Sequence, residues 1–100
     1  MLEFDYQQAI RQVEELRQIA DELRRVKSQS VESAINSVGA SWKGETSQRF
    51  LTKCGEIRDR IEKEAANISD IADSLEASAK QIAEEEASAA SIISERSFAP

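Results

Sequence analysis

The sequence predicts an all-α protein, an antiparallel two-helix hairpin that dimerises into a four-helix bundle. Three observations predict it. The composition favours helix, with three Gly, one Pro, 32% charged residues and only 5% aromatics in 100 residues. Apolar residues recur at three-and-four spacing through both halves of the chain. The only strong turn signal before the C-terminus lies near the middle, at Gly39-Ala40-Ser41-Trp42-Lys43-Gly44.

The first helix is expected from about residue 5 to 38. Asp5 followed by Gln8 reads as a capping box. Tyr6, Ala9, Ile10, Val13, Leu16, Ile19, Ala20, Leu23 and Val26 then mark one broad face. The pattern weakens from Lys27 to Ser30 and resumes at Val31, Ala34, Ile35 and Val38. Gly39 stands where a left-handed C-cap is expected, so the turn spans 39–44. Ser41 is the expected N-cap of the second helix, and Glu45 suits its first turn.

The second helix is expected from about 45 to 90. Cys54, Ile61, Ile68, Leu75, Ile82 and Ala89 are spaced by seven, with Phe50, Ile57, Ile71 and Ala72 beside that seam. A flexible tail comes after it, with residues 97–100 expected to be disordered. One short turn forces the two helices antiparallel, because neither buries its stripe alone. A reversal at Ser41 sets Ile61 against Ala20, Ile68 against Val13 and Leu75 against Tyr6. The first helix's apolar set covers about half its circumference, more than one partner helix needs. The surplus predicts a second hairpin, and the unequal arms leave Ile82, Ile92, Ile93 and Phe98 overhanging. The packing face is therefore read as Val13, Leu16, Ala20, Leu23, Phe50, Ile57, Ile61, Ile68 and Leu75.

Charge and chemistry narrow the function. A net charge of −6 argues against nucleic acid, and no basic face suits an anionic membrane. With one Cys and no His, neither an internal disulfide nor a transition-metal site is expected. Cys54 on the seam reads as a small buried hydrophobe. Glu84-Glu85-Glu86 reads as a solvated face. Nothing resembles a nucleophile elbow, a phosphate loop or an isolated carboxylate pair, so no catalytic residue, cofactor or metal is expected. The N-terminus lacks a basic start and long apolar run, so any export is expected to proceed without a general secretory signal peptide.

Trp42-Lys43-Gly44, with Phe50 eight residues after the tryptophan and a long helix on each side, resembles the WxG family of small type VII secretion substrates. The resemblance covers nearly the whole chain. It implies a small secreted protein, cytoplasmic before export, acting as a homodimer or heterodimer with another hairpin. It also implies contact of the Trp42–Gly44 turn with the secretion machinery. The residues supply a packing reading beside it: Gly44 permits a tight turn, and Trp42 lays a large ring at the bundle end. The family's Tyr-x-x-x-Asp/Glu export motif is missing after the second helix. Its nearest echo is Ile82 with Glu86. That departure keeps a second role open, an adaptor for the helical N-terminal domain of an LXG-type toxin. A cytoplasmic coiled-coil module is a third reading, resting on the heptad seam alone.

Overall fold

The computed structural model describes residues 4–97, with side chains as far as Ile93. Helix α1 spans Tyr6–Val26, a π segment covers Lys27–Val31, α2 runs Glu32–Ser41, and α3 extends without interruption over Glu45–Ser97. The helices fold into a rod of 87 × 17 × 15 Å. Helix α3 packs along both α1 and α2, and no strand occurs among the described residues. The expected disorder at residues 98–100, and with it Phe98, lies outside the described residues. Ser97, expected in that tail, is helical.

Local chemistry explains each end. Asp5 caps α1, its Oδ1 accepting from the Gln8 amide at 3.0 Å. Arg24 and Arg25 close α1, but the backbone stays helical through Lys27, whose amide bonds the Leu23 and Arg24 carbonyls, and runs on into the π segment. The polar stretch where the first stripe weakens is the π segment, and Ser28 Oγ donates there to the Arg24 and Arg25 carbonyls. A π turn holds one extra residue and so rotates the helix beyond it by about 100°. That rotation returns Val31, Ala34 and Ile35, all half-buried, and Val38, buried, to α3.

The reversal differs from the expected one. Gly39 is helical, and so is Ser41, which ends α2 instead of capping α3. Trp42 is the C-cap, extended at φ −99° and ψ 143°, with its amide donating to the Val38 carbonyl at 2.8 Å. Gly44 alone carries a positive φ, 105°. The turn is three residues long, 42–44. Moving the reversal point two residues along moves each opposite position by about four residues, roughly one helical turn. The layers expected from a fold at Ser41 are corrected accordingly. Arg17 bonds Asp73 and Glu76, Arg24 and Lys27 both bond Glu62, and Val13 shares a groove with Leu75 and Ala79.

The buried line of α3 is also not the expected one. Ala65, Ala72 and Ala79 are 0–3% exposed and lie seven apart. On α1, Val13 and Ala20 are equally buried. The interior of the hairpin is therefore built from small side chains, which let two helices approach closely. Leu75 and Ile82, placed on the seam by the heptad spacing, stand 47% and 43% exposed. They are displaced to one flank of the contact. Cys54 is buried, and Ser47 one heptad before it fits close to the turn with its Oγ donating to the Gly44 carbonyl at 2.8 Å.

This packing has two measurable consequences. Ala72→Leu forces a large side chain between touching helices and is expected to cost about 1–3 kcal/mol, seen as a lower urea midpoint; an unchanged midpoint contradicts the tight line. Lys27, and then Arg24, hold the Glu62 carboxyl below its ordinary range. A carboxylate depressed by folding adds stability above its unfolded pKa, near 4.3, and loses that contribution as pH falls through the folded value. The stability gap between wild type and Glu62→Gln should therefore be present at pH 7 and close in acid.

Candidate functional site

The two flanks of the hairpin differ in chemistry. One is stitched by charge. Arg17 contacts Glu14, Asp73 and Glu76, and Lys27 Nζ lies 2.8 Å from Glu62. The Arg17 pKa is raised by the hydrogen bonds it donates to Glu76, Asp73 and Glu14, and that of Glu76 is lowered through Arg17 and Lys80. Arg17, Glu76 and Lys27 are half-buried and Glu14 and Asp73 exposed, so water still screens the pairs, and they set register more than they supply stability.

The other flank is apolar. On α1, Leu16, Ile19, Leu23 and Val26 succeed one another at spacings of three and four, with Ile19 and Val26 exposed. On α3, Ile57, Ile61, Ile68, Ile71, Leu75 and Ile82 do so at three, four and seven. Two shallow grooves show that both stripes face the same way. Leu23 lines one with Ile57, Arg60, Ile61 and Glu64. Phe4, Ala9, Gln12 and Val13 line the other with Leu75, Ser78, Ala79 and Ile82. An apolar strip thus runs most of the length of the overlapping arms. Glu64 is the single charge within the α3 stripe, and it forms no ion pair among the described residues.

The residues read from the sequence as one packing face separate into two groups. Val13 and Ala20 are interior to the hairpin. Leu16, Leu23, Ile61 and Ile68 are half-buried, and Phe50, Ile57 and Leu75 are exposed on the flank. Ala65 and Ala79 escaped the reading because alanine carries little weight in an apolar pattern, although their spacing of seven with Ala72 is visible in the sequence. Ile82 and Glu86 lie about one turn apart on α3, with Ile82 in a groove at the open end and Glu86 half-buried.

At the closed end, Trp42 is 55% exposed. Its ring lies 5.9 Å from that of Phe50, tilted by 42°. The two rings form a partly exposed pair over the turn instead of a buried plug. At Gly44 a Cβ meets nothing within 4 Å, so the positive φ, and not crowding, calls for glycine. Among the described residues, no group of three or more Cys, Asp or Glu is placed to hold a metal ion, and no helix is long and apolar enough to cross a membrane.

Comparison with known families matches residues 3–87 to WXG100, described as proteins of 100 residues with WXG. The chain belongs to that family, and Trp42-Lys43-Gly44 is its WXG tripeptide. No curated protein and no solved structure matches the chain.

Gly44→Ala is expected to destabilise the chain by about 1–2 kcal/mol through left-handed strain alone, with helical content retained. Thermal melts followed by circular dichroism measure it; a melting point equal to wild type contradicts the strain.

Proposed function

We propose that this chain, as a WXG100 member, is a small type VII secretion substrate that works by docking its apolar flank against a helical partner. The observation that carries the reading is the strip itself. Exposed aliphatics on two helices are aligned on one side, while the opposite side is closed by ion pairs. A contiguous exposed apolar surface of this kind marks a contact with another protein. The grooves along it are shallow and apolar, a shape that suits a packed helix better than an enclosed small ligand.

The turn has a separate role in this reading. Trp42 is the largest apolar side chain and yet lies more than half exposed beside Phe50. An exposed aromatic pair on a short, defined turn suits recognition by the secretion apparatus.

Deleting the secretion ATPase of the producing strain should remove the chain from the culture supernatant while leaving its cellular level intact. Unchanged release in that strain would sink the proposal. Trp42→Ala should lower export at least severalfold with the circular dichroism spectrum unchanged, since the ring contributes little to the interior. Ile61→Asp should abolish partner binding while the hairpin's own helicity persists.

A further inference from the structure

We infer that the closed end of the hairpin is a basic, aromatic-tipped docking surface for an acidic protein, one that presents Asp and Glu carboxylates around an apolar cleft. The inference rests on the reading that the turn is recognised, and it gives the recognising surface its chemistry. Its basis is a charge separation along the rod. Arg24 and Glu62 are bonded across the arms and so mark one level. Residues 24–62, on the turn side of that level, hold eight basic and five acidic residues, a net charge of +3. The rest of the chain holds five basic and fourteen acidic residues, a net charge of −9. Cutting the chain at its turn hides the separation, because the basic residues lie on both sides of the cut. Folding back gathers them at one end.

Salt makes the two ends electrically independent. At physiological ionic strength charges are screened over about 8 Å, while the rod is 87 Å long. A surface at the closed end therefore meets a cation, although the whole chain is an anion. The same acidic surface repels the open end, so the chain approaches it tip first.

The side chains at this end are disposed for contact. Arg25, Lys43, Arg49, Lys53 and Arg60 are all exposed. Arg25, Lys43 and Arg60 form no ion pair among the described residues. Arg49 and Lys53 pair with Glu45 and Glu56 on their own helix. Those bases are more than three-quarters exposed, and pairs of that kind hold little energy, so a partner's carboxylate can replace them. Lys43 follows Trp42 in the turn and Arg49 precedes Phe50, which sets a cation beside each exposed ring. Other polyanions fit less well. Glu45, Glu56 and Asp59 lie among the bases, and a phosphate backbone or an anionic bilayer, uniform in sign, repels them. A protein surface can answer both signs and also supply a cleft for Trp42 and Phe50.

The test uses the full chain. Trp42 is its single tryptophan, so the emission reports the site directly. Fluorescence is titrated with a synthetic peptide of repeated Glu-Glu-Leu, with its Lys-Lys-Leu counterpart, with duplex DNA and with phosphatidylglycerol vesicles. The acidic peptide should saturate the signal, and its affinity should fall at least threefold from low to physiological salt. Lys43→Glu with Arg49→Glu should weaken it at least fivefold, and Lys43→Gln with Arg49→Gln should act in the same direction without placing a like charge beside Glu45. Arg11→Glu with Lys80→Glu makes the same change in net charge at the open end and should leave the affinity within twofold. Circular dichroism checks that each variant folds. The docking surface is overturned by silence toward the acidic peptide, by equal losses from the two charge-reversed pairs, or by tighter binding of the basic peptide, DNA or vesicles. In the producing strain, the closed-end pair should lower export severalfold and the open-end pair should not. If Trp42→Ala lowers export and the closed-end pair does not, recognition of the turn stands and the acidic partner fails. If export is independent of the secretion ATPase while peptide binding follows the closed-end charges, the secretion reading fails and the docking surface stands.

Discussion

The close contact along Ala65, Ala72 and Ala79 governs the rest of this molecule. Methyl groups at the inner line of α3 let α1 settle directly against it, with Val13 and Ala20 as the answering residues. The gain per side chain is small, at about 25 cal/mol per Å² of apolar surface removed from water. Close packing over many turns compensates, because dispersion depends on short distances. The same closeness leaves no room in the interior for the larger aliphatics.

That exclusion separates the hairpin into two flanks. The residues one step around α3 in one direction are Glu62 and Glu76, which meet Arg17, Arg24 and Lys27. Those one step around in the other direction are Ile61, Ile68, Leu75 and Ile82. Charge closes the first flank in water at little cost, while nothing within the described residues closes the second. The long arms of a small protein thus carry a surface that another helix can cover, which is the physical basis of the proposed role as a packing partner. The π segment belongs to the same design, since its extra residue brings the stripe of α2 back onto α3 beyond a polar stretch.

Much of this was legible in the residues. Helix-forming composition, the Asp5 cap and the apolar periods are local properties, and they appear as α1, α2 and α3. The Trp42-Lys43-Gly44 tripeptide identified the family and the place of the reversal. The reversal's detail was less legible. Gly39 and Ser41 have the right identities for a cap, yet backbone geometry selected Gly44 for the positive φ and Trp42 for the cap. Glycine permits a left-handed conformation without requiring one. The exposed stripe was read as a surplus, but its membership was mixed with the interior, because Val13 and Leu16 look alike in an apolar pattern.

By itself, the sequence determined an all-α chain, its central turn, its family and an excess of apolar surface, since each comes from local preference or from counting. Only the tertiary structure decided which residues fill the inside. That choice depends on helix separation, and helix separation depends on side-chain size at the contact. It also decided the register, because a two-residue change at the turn propagates along both arms. From those two decisions came the level of each stripe, the place of Glu64 within one of them, and the half-exposed Trp42 over the turn.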